Sequence, residues 1–196
     1  AKITVTYSAI LNDNAVVGTA EKNVSHITYS NQTTQDKEVE VNTYDVDILK
    51  YAREDSNKKA IAGAVFQLQD KDGNALWLTK ETDVAGCDVY EIALNQATDL
   101  TGLTKIEDEN GNIIGYKDNN NNQVLYKQFT TTKDLKVRIL GLDVDKSYLL
   151  EELKAPAGYN KLDQKIKAEA SGTTLDFGDI EVANQAGAEL PSTGGM

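Results

Sequence analysis

The sequence predicts an all-β protein, and three observations support this expectation. Short runs in which apolar and polar residues alternate recur along the chain, most clearly at 44–50, 135–142 and 148–153. Turn-forming Asp, Asn and Gly clusters separate these runs, as in Asp70-Lys-Asp-Gly-Asn74, which reads as a hairpin turn. Only one stretch, 91–104, is compatible with a short helix. We therefore expect strands throughout the chain.

Composition limits the classes of protein that the chain can represent. Its 196 residues suffice for one large domain or two small ones, and its formal charge of -11 is spread along the sequence. This charge argues against binding to nucleic acid or to anionic membrane surfaces. The single cysteine, Cys87, cannot form an intramolecular disulfide and is interpreted as a small core residue. No signal peptide or transmembrane run is recognisable, and the strand pattern at residue 1 predicts a fragment of a longer protein.

The first 42 residues contain three alternating runs, at 2–10, 23–30 and 38–41. Three strands make a poor independent domain, because a single small sheet buries too little apolar surface. We therefore interpret residues 1–42 as the C-terminal strands of a preceding β domain. A larger domain is expected to follow from residue 43.

Two polar segments in the larger domain raise the question of metal binding. Asp70, Asp72, Asn74 and Glu81 have the spacing of a calcium loop, but Ala75 occupies the glycine position and the flanking segments are strands. The turn interpretation is therefore preferred. Residues 107–123 are rich in Asp and Asn and are expected to form an exposed insertion hairpin, although metal binding there remains an alternative.

Three strands place one polar residue each on an otherwise apolar face. Lys50 shares the face of Val46 and Ile48, Glu152 that of Tyr148 and Leu150, and Asn184 that of Ile180 and Val182. Each residue alone could be a strand end that reaches water. An amine, a carboxyl group and a carboxamide directed into one core would be costly unless they were partners. Together they indicate a reactive triad.

Residues 148–159, Tyr-Leu-Leu-Glu-Glu-Leu-Lys-Ala-Pro-Ala-Gly-Tyr, resemble the "E-box" of Gram-positive surface proteins, with Leu153 where that motif has Thr. Residues 43–185 resemble a Cna-B-type domain, on the evidence of 46–50, 61–68 and 140–142. This resemblance implies an immunoglobulin-like β-sandwich whose first and last strands are joined by a Lys–Asn isopeptide bond. Lys50 and Asn184 would form the crosslink, and Glu152 would catalyse it.

The chemistry of such a bond requires a neutral amine and a polarised carboxamide. Burial disfavours the charged form of Lys50 and favours the neutral form of Glu152, which could donate a proton to the Asn184 carbonyl and then to ammonia. The reaction occurs once per molecule, so the chain is not expected to be an enzyme. No cofactor and no metal are required.

The strand Tyr7-Ser-Ala-Ile-Leu-Asn12 and the segment from Asn23 to Tyr29-Ser-Asn31 resemble the end of a D2-type pilin domain. By that resemblance Asn23 would be the isopeptide acceptor of the preceding domain, with a lysine partner upstream of residue 1. A similar crosslink in a second domain is therefore implied but cannot be completed within this sequence.

Residues Leu190, Pro191, Ser192, Thr193 and Gly194 resemble the LPxTG sorting signal, which a sortase cleaves after Thr193. The alternative is a chance Pro/Gly-rich C-terminus. The motif's position beyond a folded domain favours an accessible substrate, and we expect 186–196 to form a flexible tail.

These resemblances imply the C-terminal part of a backbone pilin in a cell-wall-anchored, extracellular pilus. Its partners would be pilus-type and housekeeping sortases, neighbouring pilin subunits, and peptidoglycan, reached directly or through a basal subunit. The Tyr-Pro-Lys motif that usually carries the acceptor lysine is absent from the sequence, so it is expected upstream, or the role differs. The alternatives are an accessory, basal or tip pilin, an adhesin stalk, or the stalk of a surface hydrolase.

Overall fold

The structure is a computed structural model that describes residues 21–93, 100–169 and 177–187. Within these ranges all regular secondary structure is β, so the predicted fold class is confirmed. No described segment forms a helix long and apolar enough to span a membrane. The strands are β1 (Glu21–Ser25), β2 (Thr28–Tyr29), β3 (Gln32–Thr33), β4 (Lys37–Val41), β5 (Tyr44–Ala52), β6 (Val65–Asp70), β7 (Leu78–Lys80), β8 (Cys87–Ile92), β9 (Thr104–Glu107), β10 (Ile113–Lys117), β11 (Gln123–Tyr126), β12 (Phe129–Thr130), β13 (Lys136–Leu142), β14 (Tyr148–Lys154), β15 (Ile166–Ala168) and β16 (Asp179–Asn184).

Two sheets enclose the main core. The larger sheet has the strand order β16-β5-β13-β8-β7-β11-β10-β9, and the smaller has the order β12-β6-β14-β15. Their apolar side chains form one buried cluster, to which Ile48 and Ile139 contribute from the larger sheet and Phe66 and Leu150 from the smaller. Packing of two such faces is the arrangement by which sheets remove apolar surface from water.

Burial alternates along β5 and β14 with the period of two that their sequences predict. Val46, Ile48 and Lys50 are buried in β5, whereas their neighbours are half-buried. In β14 the buried residues include Leu150 and Glu152. Successive side chains of a strand point to opposite faces, so the phase read from the sequence assigns both polar residues to the core side.

Parallel pairing places the last strand beside the first strand of the sandwich. β16 runs parallel to β5, with Val182 opposite Lys50 and Asn184 opposite Ala52. β5 pairs on its other side with β13, antiparallel. The first and last strands of the domain are therefore direct neighbours at one edge of the larger sheet.

Three hairpin turns share one capping arrangement. In each turn an aspartate Oδ1 accepts hydrogen bonds from the backbone N–H groups two and four residues later, and its Oδ2 accepts one from the side chain of the asparagine four residues later. The three turns begin at Asp70, Asp108 and Asp118. Hydrogen bonds from Asn74 lower the pKa of Asp70, because they stabilise the carboxylate. These carboxylates cap their own turns, as the turn interpretation predicted.

The segment between β8 and β9, which the sequence made compatible with a short helix, is not helical at its described ends. Ile92 ends β8, residues 101–102 form a turn, and Thr104 begins β9, so both described ends of 91–104 are extended or turning. Residues 94–99 lie outside the described residues. The apolar positions of this stretch were compatible with the period of a helix or of a strand. Pairing of β7 with β8 makes Ile92 part of a strand.

The predicted insertion hairpin is formed by β10 and β11, with β9 at the edge of the larger sheet. A second small core supports it, built on Ala93, Tyr116 and Leu125. Gly115 lies in β10 opposite β11, and a Cβ atom there would lie 2.7 Å from the Leu125 carbonyl oxygen and would also overlap Gln123 Nε2.

Gly115→Ala is therefore expected to lower the free energy of unfolding by about 1–3 kcal/mol, because the two strands would have to separate. Urea unfolding followed by the fluorescence of Trp77, which packs against this core, would measure the change. An unchanged unfolding midpoint would contradict the close approach of β10 to β11.

Residues 21–41 form two small two-stranded sheets. β1 pairs with β4, and β2 pairs with β3. One face of the β1–β4 pair carries Lys22 between Glu38 and Glu40, at 2.6 and 3.1 Å. The opposite face carries Asn23 beside Val39, which is 62% exposed. Membership of these strands in a preceding domain stays a prediction.

Candidate crosslinking site

The structure brings Lys50, Glu152 and Asn184 together inside the sandwich. Their exposed fractions are 1%, 2% and 0%, so all three are buried as completely as the surrounding apolar residues. Lys50 and Asn184 come from the adjacent strands β5 and β16, and Glu152 comes from β14 in the opposite sheet. The site therefore spans the core between the two sheets.

Glu152 Oε1 lies between the amine and the carboxamide. Lys50 Nζ is 3.9 Å from this oxygen, and Asn184 Nδ2 donates a hydrogen bond to it at 2.8 Å. Asn184 Nδ2 also lies 3.1 Å from Oε2. Lys50 Nζ donates its own hydrogen bond to the Val182 carbonyl oxygen at 3.1 Å. Both groups are thus held against one carboxyl group without access to water.

A backbone group distinguishes the two oxygens of Glu152. The N–H of Leu162 donates to Oε2 at 2.8 Å. Oε2 therefore has two donors, the Leu162 N–H and Asn184 Nδ2, whereas Oε1 accepts from Asn184 Nδ2 and faces Lys50. The sequence could not predict the Leu162 contact, because the donor is a main-chain atom ten residues away.

The carboxamide of Asn184 has one unused acceptor. Among the described residues, its Oδ1 is buried without a hydrogen-bond partner. The sequence-based expectation had this oxygen accepting from Glu152, whereas the structure directs Nδ2 there. Rotation of the amide by 180° about its Cβ–Cγ bond would exchange the two atoms and satisfy Oδ1 when Glu152 is protonated.

Burial changes the protonation of the amine. Desolvation lowers the pKa of Lys50 to about 8, and the nearby Glu152 opposes this shift. An ordinary lysine has a pKa of roughly 10.4 and is almost entirely protonated near neutral pH. Lys50 therefore has a much larger neutral, nucleophilic fraction than a surface lysine.

The adjacent Glu151 provides a contrast on the other face of β14. It is half-buried, and its Oε2 lies 3.1 Å from Lys165 Nζ and accepts from Gln69 Nε2 at 2.8 Å. The Lys165 contact lowers the pKa of Glu151, so this carboxylate stays ionised in a conventional ion pair. One step along the strand therefore separates a partly solvated ion pair from the buried cluster of Lys50, Glu152 and Asn184.

The remaining candidate residues lie away from this site or outside the described residues. Asn23 is in the exposed β1–β4 pair. Leu190 to Gly194 lie outside the described residues, and so does most of the tail predicted for 186–196. Cys87 is buried at the start of β8, and burial raises the pKa of its thiol, as expected for a core cysteine.

Comparison with known proteins adds a family and a fold. Residues 45–181 match the family described as "SpaA: Prealbumin-like fold domain". No curated protein matches the chain. The backbone protein of group B streptococcus pilus 2b is a similar solved structure, with a TM-score of 0.51 and 24% identity over 91% of this chain and 55% of that one.

The shaft pilin spaA of Lactobacillus rhamnosus GG gives a TM-score of 0.49 and 19% identity, over 80% of this chain and 52% of that one. A structure of its C-terminal domain gives 0.45 and 19%, over 75% of this chain and all of that one. The chain thus spans about half the length of the two longer structures. The match to the streptococcal protein supports the β fold described above.

Proposed function

The chain belongs to the family of SpaA prealbumin-like fold domains, and on that premise we propose that it is the C-terminal part of a pilus shaft subunit whose sandwich is closed by a Lys50–Asn184 isopeptide bond. The observation that carries this proposal is the buried contact of Lys50 and Asn184 with one carboxyl group. Burying an amine and a carboxyl group in an apolar core is costly, and a covalent product that removes the charge offsets that cost.

The reaction begins with attack of the neutral Lys50 Nζ on the Asn184 Cγ atom. Protonated Glu152 donates to the carboxamide oxygen, which accepts the developing negative charge. Glu152 then takes a proton from the attacking nitrogen and delivers it to the departing nitrogen, and it recovers its first proton from the oxygen as the carbonyl re-forms. The Cγ–Nδ2 bond breaks, ammonia leaves, and the new bond joins Nζ to Cγ. Atoms balance as amine plus carboxamide giving a secondary amide plus ammonia.

Folding supplies most of the rate enhancement. In the unfolded chain the two groups are separated by more than one hundred residues of sequence. In the sandwich, β16 pairs with β5 and fixes both groups beside Glu152. Fixed proximity of this kind corresponds to effective concentrations of roughly 10⁵ M or more. The bond therefore forms once, after folding, and does not make the chain an enzyme.

The product would join the first strand of the sandwich to its last. A pulling force applied through residues 43 and 185 would pass from β5 to β16 through the crosslink. The hydrogen bonds of the intervening strands would carry little of that load. A fibre subunit under tension requires this resistance to stretching.

The proposed assembly uses the Leu190–Gly194 motif. A pilus-type sortase would join Thr193 to an amine of a neighbouring pilin subunit, and a housekeeping sortase would attach the fibre to peptidoglycan, directly or through a basal subunit. The protein would then be extracellular and anchored to the cell wall. Asn23 would serve as the crosslink acceptor of the preceding domain, with its lysine upstream of residue 1.

Bond formation should accelerate with pH across the titration of Lys50. The pKa of about 8 means that the neutral fraction rises about tenfold between pH 6 and 7 and levels off above 8. Chain that is produced unfolded and kept in denaturant remains unreacted, because Lys50 and Asn184 are not adjacent until folding. Dilution into buffers from pH 5.5 to 9, followed by intact mass over time, would record the loss of one ammonia.

A rate that is independent of pH from 6 to 8 would contradict attack by the neutral amine. A folded chain that keeps its full sequence mass at every pH would remove the proposed crosslink altogether. Folding itself, followed by Trp77 fluorescence, serves as the control for pH effects that are unrelated to the bond.

A further inference from the structure

The last described residues are held on both sides as they leave the sandwich. The backbone N–H of Arg53 donates to the Asn184 carbonyl at 2.9 Å, and that of Asn160 donates to the Gln185 carbonyl at 3.0 Å. The N–H of Ala186 donates to Glu54 Oε1 at 3.1 Å.

Gly187 continues this arrangement. Its N–H donates to the Gly158 carbonyl oxygen at 2.7 Å, and Ala186 forms a β-bridge with Tyr159. We call Arg53, Glu54 and residues 158–160 the exit collar. Backbone contacts with the sandwich thus continue two residues beyond the predicted boundary at 185.

The collar lies very close in sequence to the proposed sorting motif. Only Ala188 and Glu189 separate Gly187 from Leu190. Three Cα-to-Cα steps span about 10 Å at full extension. Even a 100-residue globular enzyme has a radius of gyration of about 13 Å. An enzyme that encloses Leu190–Gly194 in a cleft must therefore bring its own surface against the collar.

We propose that the exit collar is a docking surface for the sortase that cleaves at Thr193, an inference that rests on the proposed sorting function. The collar offers exposed Arg53 and Glu54, the exposed Asn160 and the half-buried Tyr159. Arg and Tyr are enriched in protein interfaces, and a surface whose backbone is already hydrogen-bonded loses little entropy on binding. Recognition then includes the folded domain as well as the five-residue motif.

Two variants of the whole chain test the docking surface. A six-residue Gly-Ser insertion between Ala188 and Glu189 moves the motif away from the collar. The same insertion between Asn119 and Asn120, in the exposed turn of the insertion hairpin, is its control. We expect the first insertion to raise KM for a pilus-type sortase about tenfold, the effect of losing one or two interface contacts, with kcat unchanged. The control insertion should leave both constants unchanged.

Reversing the charge of Arg53 provides a second test of the docking surface. Arg53→Glu should raise KM in the parent chain but not in the chain that carries the spacer, because the contact is already lost there. Lys105→Glu makes the same charge change in β9, at the opposite edge of the larger sheet from β16, and should have no effect in either chain.

Equal or faster cleavage of the spacer variant would overturn the docking surface while leaving the sorting function intact. Equal effects of Arg53→Glu and Lys105→Glu would also overturn it. If the parent chain is not cleaved at all, the sorting function and the docking surface built on it both fail.

Discussion

Glu152→Gln is expected to leave the folded chain at its full sequence mass, whereas the parent should be lighter by one ammonia. The amide cannot cycle a proton between the attacking and departing nitrogens, although it fills the same volume beside Lys50 and Asn184. Mass spectrometry under denaturing conditions would measure the difference directly, because a covalent bond survives unfolding. Asn184→Ala removes the acceptor and should likewise remain at full mass.

Glu152→Gln should also be markedly less stable than the parent chain. The bond would close a loop of roughly 135 residues, which by analogy with a disulfide removes about 5 kcal/mol of unfolded-state entropy. For a domain of this size that corresponds to a melting temperature lower by about 10–20 °C. Thermal unfolding followed by circular dichroism would measure the shift.

Glu151→Gln is the matched control. It makes the same chemical change one residue away, on the face where Lys165 and Gln69 form a partly solvated cluster. It should retain the ammonia loss and shift the melting temperature by only a few degrees, as expected for a partly exposed ion pair. A Glu151→Gln chain at full mass, or a Glu152→Gln chain that has lost ammonia, would contradict the assignment of the catalytic carboxyl group.

Thr193→Ala is expected to lower sortase-dependent joining by about 100-fold or more, because a site built to bind the threonine side chain is left with unpaired polar groups. The assay would combine the chain with a pilus-type sortase and an amine acceptor, and then sequence the C-terminus of the product. Cleavage is expected between Thr193 and Gly194.

Ser192→Ala is the control for the loss of joining expected of Thr193→Ala. It changes the adjacent residue, at the position where the LPxTG pattern accepts any residue, and should react like the parent. A Thr193→Ala chain that reacts equally well, or cleavage at another bond, would refute the sorting motif.

The local pattern was sufficient to identify the residues of the buried site. Period-two alternation assigned Lys50 to the face of Val46 and Ile48, and Glu152 to the face of Leu150, and the structure buries all of them. Alternation succeeds here because a strand has only two faces, and a one-residue error would move every apolar side chain into water. The proposed Leu190–Gly194 motif likewise rests on sequence alone, because it is identified by five consecutive residues.

Tertiary structure decided which faces meet. Alternation specifies a face but not a partner, so it could not show that β16 lies parallel to β5 or that Glu152 approaches from the opposite sheet. It could not reveal the Leu162 N–H on Glu152 Oε2, because every residue except proline carries that donor. It left the 91–104 segment open to a short helix, whereas pairing with β7 extends β8 to Ile92. Strand pairing joins residues distant in sequence, and for that reason only the folded chain brings the amine, the carboxyl group and the carboxamide into contact.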